Sequence, residues 1–398
     1  MSIARLKLFL LLFSLLPIAA HSLELVGVGR HVPSQLFDDW AKQFSAQNET
    51  ITIKYQITSP ADIVKLIEED RADFADTDTP FSKSELDAKG ITQFPYMFTA
   101  ITPVINIPGI FTSQLRLDGS TLAAIYLGKI TRWNDPALVA LNPKLQLPDE
   151  AIQVVHGNAQ ASGTFPISNY LSKVSSEWKS KVGDGAVVNW PTGTALPSEL
   201  GIGDFVKNTP YSIGYTEISY ARKHNINYVQ MQNKDGRFVS PHTGSVESSL
   251  QLVKWKSSNG FCEDTADAGG FNSWPIVSVS YLIINKTSKD IPRRLSLLKF
   301  ISWDIGQGDI IATNLDFMPI NRSILPLIRG AWNDTPLTIE GGVVVDAKQV
   351  NEMRSGKVLI VDARVAREYE ESHIPGALSI PYAEKSEKSA NFNPQADQ

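Results

Sequence analysis

The segment Ala161-Ser162-Gly163-Thr164-Phe165-Pro166 combines residue types suited to holding an anion. Ser162 and Thr164 carry hydroxyl groups, Gly163 lets the backbone approach a ligand closely, and proline fits a first helical turn. The apolar spacing that follows predicts a helix, whose first turn points free N–H groups and a positive dipole end at whatever precedes it. These features predict an oxyanion-binding loop. The alternative is an ordinary helix cap, a role that Ser and Thr often play.

The N-terminus has the pattern of an export signal. Arg5 and Lys7 precede the apolar run 8–16, and a stretch of small residues ends at Ser22. This pattern predicts a signal peptide over residues 1–22, cleaved near Ser22, which is too short to span a bilayer. A retained membrane anchor is the alternative. We expect the mature protein in the periplasm, if the cell has two membranes.

Composition excludes several classes of protein. The chain has 398 residues, and its length beyond the signal exceeds what a single core usually supports. Its formal net charge is −5 and it has no run of basic residues, so nucleic acid and anionic membranes are poor partners. The single cysteine, Cys262, excludes a disulfide framework.

Hydrophobic periodicity predicts an α/β fold in the first part of the chain. Residues 23–28 and 51–57 are typical of strands, and residues 33–47 and 61–69 are typical of helices. This alternation predicts a parallel sheet with right-handed crossovers, which binds ligands at the carboxyl ends of its strands. The turn Gly27-Val28-Gly29 lacks the third glycine and the acidic partner of a dinucleotide-binding motif.

Many short segments resemble one family in their order and spacing. They include Asn106-Ile107-Pro108-Gly109, Leu117-Asp118-Gly119, Gly128-Lys129-Ile130-Thr131, Ala161-Ser162-Gly163-Thr164 and Asn189-Trp190-Pro191. From residue 25 to about 332 the chain thus resembles the periplasmic phosphate-binding protein of phosphate ABC importers. The resemblance implies a type II periplasmic binding protein: two α/β lobes joined by two crossover strands, with ligand in the cleft. We expect one lobe from 23–97 with 274–337, and the other from 98–273.

The resemblance also implies ligand-binding residues. The family's anion loop matches Ser162, Gly163 and Thr164, and its first-lobe serine matches Ser59. Its buried aspartate matches Asp78. A carboxylate accepts a hydrogen bond from protonated phosphate but repels an anion without a proton, so Asp78 favours phosphate over sulfate. Alternatively, Asp78 caps a turn before a proline.

Two departures from the family alter the expected site. The family's first turn, Gly-Ala-Gly-Ala-Thr-Phe-Pro, is here Gly27-Val28-Gly29-Arg30-His31-Val32-Pro33, so the ligand contacts of this turn fall on His31 and Val32. The stretch 155–160 lacks the family's arginine pair. We therefore expect a site that has lost its strongest cation, with His31 and His156 as replacement donors.

The last segment, 338–398, has a different character. Its motifs Asp362-Ala363-Arg364, Glu368-Tyr369 and His373-Ile374-Pro375-Gly376-Ala377 resemble the first half of a rhodanese domain. Sulfur transfer by that family needs a downstream cysteine thiolate, and no cysteine follows Cys262. This incomplete rhodanese-like segment is therefore not expected to be a working sulfurtransferase. It belongs either to a truncated chain or to a vestigial module.

The sequence favours an exported solute-binding protein that captures phosphate, or a related tetrahedral oxyanion, for an ABC importer or a sensor. We expect a monomer that meets the importer's membrane subunits and has no catalytic residues, metal or cofactor. Two alternatives remain. One is a protein linked to sulfur transfer through its tail, and the other is a binding-protein fold that has lost its ligand and serves as a scaffold.

Overall fold

The computed structural model describes residues 23–286, 288 and 290–333, together with the short strands Val361–Asp362 and Leu378–Ser379. The chain divides into two compact units, 1–336 and 337–398, and each is considered by itself. The predicted signal peptide and most of the rhodanese-like segment lie outside the described residues.

The first unit alternates strands and helices along most of its length. The strands are β1 (Leu23–Gly29), β2 (Ile51–Ile57), β3 (Phe74–Thr77), β4 (Ile91–Asn106), β5 (Arg116–Leu117), β6 (Gln153–Gly157), β7 (Thr194–Leu196), β8 (Ser212–Glu217), β9 (Asn227–Tyr228), β10 (Gln230–Gln232), β11 (Phe238–Val239), β12 (Val277–Asn285) and β13 (Met318–Pro319). The helices are α1 (Ser34–Gln47), α2 (Ile63–Glu68), α3 (Lys83–Ala88), α4 (Gly119–Tyr126), α5 (Pro136–Leu141), α6 (Thr164–Val174), α7 (Ser176–Lys181), α8 (Glu199–Asn208), α9 (Ile218–Lys223), α10 (Thr243–Leu250), α11 (Ile291–Asp304), α12 (Asp309–Asn314) and α13 (Leu325–Asn333). Ser257–Asn259 and Arg322–Ile324 form short 3-10 helices.

Ten of these strands form one sheet in the order β2-β1-β3-β12-β4-β8-β6-β7, with β9 and β13 also paired to β4. β1 is parallel to β2 and β3 in one half, and β6 is parallel to β7 and β8 in the other. β12 and β4 run antiparallel to their neighbours in the middle. The expected parallel sheet is therefore correct within each half, whereas the whole sheet is mixed.

β4 explains why the sheet has two halves. Its residues 91–100 pair with β12, and its residues 101–106 pair with β8. Fifteen of its sixteen residues are buried, polar ones such as Gln93 included, so its burial shows no alternation between two faces. This strand passes from one half to the other, and the molecule has the expected two-lobed α/β architecture.

The predicted helix at 33–47 is confirmed as α1. Its Leu36, Phe37, Trp40 and Phe44 are all buried, as their helical spacing predicts. Burying an aliphatic or aromatic side chain of this size contributes about 1.5–3 kcal/mol, so this face fixes α1 against the sheet. The start of α1 then lies beside the end of β1.

The parallel strands of both halves end where a ligand would be expected. β1 and β3 of the first half end at Gly29 and Thr77, and β6 and β8 of the second half end at Gly157 and Glu217. The loops that follow these ends carry the residues of the site described below. This arrangement follows the general rule for open α/β sheets.

In the second unit, Val361–Asp362 (β14) pairs in parallel with Leu378–Ser379 (β15). Among the described residues of either unit, no helix has the length and apolar character to cross a bilayer.

Candidate anion-binding site

The loop before α6 has the geometry that its sequence predicts. The helix begins at Thr164, and Gly163 before it has a φ of +81°, a left-handed conformation that costs glycine little. The N–H of Gly163 donates to Asp78 Oδ2 at 2.7 Å, and the Ser162 hydroxyl donates to Glu199 Oε2 at 3.2 Å. Thr164 is buried, with its hydroxyl 3.3 Å from that of Tyr215. Two predicted anion donors therefore already bind carboxylates.

Arg30 is the cation of this site. It follows β1 directly, and its side chain is 2% exposed. Its Nε and Nη2 donate to the two carboxylate oxygens of Asp76 at 2.8 and 2.9 Å. Its Nη1 lies 3.3 Å from Glu217 Oε1 and 3.7 Å from Asp78 Oδ2. The expectation that the site has no strong cation is thus wrong, because the arginine comes from the first turn and not from the stretch 155–160.

Neighbouring hydroxyl groups fix this ion pair. Ser280 accepts a hydrogen bond from Arg30 Nη2 at 2.6 Å, and the Tyr96 hydroxyl donates to Asp76 Oδ1 at 2.8 Å. The Tyr55 hydroxyl donates to the Arg30 carbonyl at 2.9 Å. Bidentate, charge-assisted pairs of this kind are strong and geometrically specific. The guanidinium is therefore held rigidly between β1 and β3.

Glu199 and Glu217 add two buried carboxyl groups from the second half. Glu199 opens α8, and its Oε1 accepts from the Glu217 N–H at 2.8 Å. Both side chains are almost fully buried. Among the described residues, Glu217 Oε2 has no hydrogen-bond partner. Asp76, Asp78 and Glu217 thus lie within 4 Å of one guanidinium, and Glu199 joins this group through the Glu217 N–H.

Burial, together with the neighbouring acids, shifts the pKa values of this group. Burial raises the pKa of Glu199 to about 7, with Asp78 adding to the rise and Arg30 opposing it. Burial and the neighbouring Glu199 raise the pKa of Glu217 as well. Burial lowers the pKa of Arg30, but the attraction of Asp76 and Asp78 outweighs it, so the guanidinium stays charged. The raised pKa of Glu199 brings the protonation of this one carboxyl group close to neutral pH.

The structure brings Asp78, Ser162, Gly163 and Thr164 together. Ser59 forms no hydrogen bond with these four residues in the part of the chain that the structure describes. The Ser59 hydroxyl donates to Asp62 Oδ2 at 2.7 Å, within its own loop. Its part in ligand binding stays a prediction.

The other two predicted contacts lie along a neighbouring cavity. His31 is exposed, Val32 is half-buried, and both line a space of about 540 Å³ between the start of α1 and helix α9. Arg30, one residue earlier, points the opposite way into the buried cluster.

His156 is held by its surroundings. Its ring stacks on Trp190 with centroids 4.8 Å apart, and its Nδ1 lies 3.0 Å from the Gly157 carbonyl. Burial lowers its pKa, an effect that this carbonyl partly offsets. The lowered pKa disfavours the protonated form of this ring, and its role as a replacement donor stays a prediction.

Sequence reasoning missed Arg30, Asp76, Glu199 and Glu217, although signals were present. Asp76 and Asp78 are two residues apart at the end of a strand, a spacing that places both on one face. Glu217 ends a fully buried strand, and Glu199 follows a serine cap. Charged residues at such strand and helix ends are candidates for a site in any α/β fold.

Comparison with known proteins identifies the family of the chain. Residues 18–305 match the model of the PBP superfamily domain, and residues 346–398 match the rhodanese-like domain. The chain is 34% identical over 324 residues to the phosphate-binding protein PstS of Haemophilus influenzae, covering 81% of this chain and 96% of that protein. It is 33% identical over 337 residues to PstS of Pasteurella multocida, covering 85% and 98%.

Solved structures share the fold at low sequence identity. One is a high-affinity periplasmic phosphate-binding protein, PfluDING, solved with bound phosphate (TM-score 0.63, 14% identity, 82% of this chain and 98% of that one). Another is the phosphate-binding protein of Stenotrophomonas maltophilia (TM-score 0.58, 16% identity, 78% and 94%). The family resemblance of the sequence is thereby confirmed: the chain belongs to the PstS family of the PBP superfamily and carries a rhodanese-like segment at its C-terminal side.

Proposed function

We propose that this protein captures phosphate in the cleft between its two lobes and delivers it to an ABC importer in the periplasm. The observation that carries the proposal is the position of Asp78. Its carboxylate bonds the Gly163 N–H at the start of α6 and lies 3.7 Å from the Arg30 guanidinium. A carboxylate thus lies among the groups best able to hold an anion.

This arrangement selects for a proton on the ligand. Phosphate near neutral pH carries at least one proton, and its P–O–H group can donate to Asp78. Its other oxygens would accept from the Ser162 hydroxyl, the Gly163 N–H and Arg30. Sulfate has no proton to give, so Asp78 would only repel it. Capture requires Asp78 and Glu199 to release the donors that they hold in this structure.

The lobes that close on the ligand are proposed to be 23–97 with 274–337, and 98–273. In support, the bonds from Asp78 to Gly163 and from Arg30 to Glu217 join residues of different lobes. A monomer with one site would meet the importer's membrane subunits through the outer surfaces of these lobes. Neither metal nor cofactor enters the proposal.

We propose no enzymatic activity for this chain. Residues 338–398 contain no cysteine, so they supply no thiolate for sulfur transfer. A thiosulfate sulfurtransferase assay with cyanide as acceptor is expected to give no turnover.

A second candidate is a scaffold that no longer binds a ligand. It is favoured by one observation, namely that the Ser162 and Gly163 donors already bind carboxylates. Titration with phosphate distinguishes the two candidates, because a scaffold gives no saturable binding.

The variant Asp78→Asn tests the basis of selectivity. The amide no longer repels an anion without a proton, yet its oxygen still accepts a hydrogen bond from phosphate. We expect the preference for phosphate over sulfate to shrink, with a smaller change in phosphate affinity, when both are titrated by calorimetry. Asp204→Asn, which makes the same substitution at an exposed position, is the control. If selectivity is unchanged in Asp78→Asn, Asp78 does not contact the ligand.

A further inference from the structure

Glu199 points its carboxyl group at the predicted anion donors. Its Oε2 accepts from the Ser162 hydroxyl at 3.2 Å. A Cβ placed on Gly163 would lie 3.1 Å from the same carboxyl group, so glycine at that position makes room for it. The Ser198 hydroxyl caps α8 by accepting from the Gly201 N–H at 3.0 Å, which fixes the helix start that carries Glu199. A carboxyl group thus lies in the space directly before α6.

An anion bound at the start of α6 would therefore lie next to two carboxyl groups, those of Asp78 and Glu199. Asp78 accepts the hydrogen bond of the Gly163 N–H, and Glu199 accepts that of the Ser162 hydroxyl. An ionised carboxylate repels an anion, but a proton between them turns the contact into a hydrogen bond. An anion that touches both groups consequently needs two protons at these contacts.

We propose that Glu199 is a second specificity residue of this site, and that the bound state holds two protons, one between phosphate and Asp78 and one between phosphate and Glu199. This inference rests on the proposed function. Monobasic phosphate brings both protons. Dibasic phosphate brings one and takes up the second from water as it binds, while sulfate brings none.

The groups that face Glu199 come from several elements. Arg30 follows β1, Asp78 follows β3, Tyr215 and Glu217 belong to β8, and Ser162 precedes α6. Only Arg30 among them is a cation. Its ion pairs are with Asp76, Asp78 and Glu217, and it opposes the rise in the pKa of Glu199 without cancelling it. Burial, the largest cause, raises the pKa of Glu199 to about 7, so this carboxyl group gains or loses its proton in the range where phosphate does.

Calorimetry of the full-length protein measures how many protons are taken up when phosphate binds. Sodium phosphate is titrated at a pH of about 8.5 in two buffers that differ in ionisation enthalpy. At this pH phosphate is dibasic and Glu199 is ionised, so we expect the uptake of one proton per phosphate bound. Linkage then requires phosphate affinity to fall about tenfold per pH unit above neutrality.

The variant Glu199→Gln tests whether the proton uptake depends on Glu199 and not on another group of the site. The amide donates an N–H without a proton from solvent, so uptake is expected to vanish and the affinity to become flat with pH in this range. Asp204→Asn removes an exposed carboxylate from the same helix, α8, and is expected to keep the uptake. If circular dichroism shows that Glu199→Gln does not fold, Glu199→Asp replaces it. Its shorter side chain withdraws the carboxyl group from Ser162 and should also reduce the uptake.

The outcomes distinguish the two levels of the proposal. Zero proton uptake in the unsubstituted protein, or equal uptake in Glu199→Gln, overturns the role of Glu199 and leaves phosphate binding intact. If no phosphate binds to the unsubstituted protein between about pH 6 and 9, the proposed function fails, and this inference fails with it.

Discussion

Arg30 determines the charge balance of the cleft. Removing its guanidinium leaves Asp76 and Glu217 buried without their cation. Breaking a buried pair by removing one partner costs about 3–5 kcal/mol. We expect Arg30→Met to lower the free energy of unfolding by that amount and to abolish phosphate binding, as measured by urea denaturation and calorimetry.

Arg71→Met is the matched control for this change. Arg71 forms an exposed ion pair with Glu69, and such pairs contribute at most about 1 kcal/mol. If both variants lose equally little stability, the buried network does not depend on Arg30.

Glu199 also makes stability depend on pH. Its pKa is about 7 in the folded protein and near its ordinary value of 4.5 in the unfolded chain, so the folded state binds more protons between these values. Stability from this group is therefore complete below about pH 4.5 and is lost as the pH rises through 7. The upper limit of this loss is roughly 3 kcal/mol.

His156 acts in the opposite direction, because its lowered pKa makes stability fall as the pH drops below its ordinary value of 6.5. The contribution of Glu199 is therefore isolated by comparing the unsubstituted protein with Glu199→Gln in urea denaturation at about pH 5 and pH 8. We expect the variant to gain stability relative to the parent at pH 8. Parallel pH curves would show that Glu199 titrates normally.

The residues of the site were partly predictable from the sequence. Ser162, Gly163, Thr164 and Asp78 lie in local motifs, and the structure brings these four together. Arg30 was not found, because the sequence does not show whether a side chain next to His31 points into the cleft or out of it. That direction is set by the backbone at the end of β1 and by the bidentate contact with Asp76.

At the scale of elements, the start of α6 depends on a glycine for two reasons. Gly163 has a φ of +81°, and a Cβ there would press on the Glu199 carboxyl group at 3.1 Å. Gly109 has a φ of +82° but nothing within 4 Å of its Cβ position. The left-handed conformation costs a non-glycine residue roughly 1–2 kcal/mol.

We therefore expect Gly163→Ala and Gly109→Ala each to lose about 1–2 kcal/mol of stability in urea denaturation, with only Gly163→Ala weakening phosphate binding. If Gly109→Ala reduces the affinity as much, the effect does not arise from contact with Glu199.

The early helices and strands followed the hydrophobic pattern, since α1 and β2 match the expected segments closely. The direction of β4 and β12 was not predictable. Both strands are buried along nearly their whole length although they carry polar residues such as Gln93 and Ser280. Hydrophobic periodicity does not tell which way such a strand runs or which neighbour it pairs with.

At the scale of the whole molecule, the binding site and the rhodanese-like segment belong to different units. The chain divides at residue 336, and every contact of the site described above lies before that point. We expect a fragment of residues 23–336 to bind phosphate with the affinity of the full chain in calorimetric titration. A large loss of affinity on removing 337–398 would mean that the segment contributes to the site.

The carboxyl groups of this cleft are proposed to distinguish tetrahedral anions by the protons that they carry. A competition titration of the full-length protein at pH 7, with phosphate and sulfate measured side by side, tests this recognition. The structure predicts saturable binding of one phosphate per chain, which excess sulfate does not displace. If phosphate does not bind, or if sulfate competes with equal affinity, the carboxyl groups around Arg30 do not serve proton recognition.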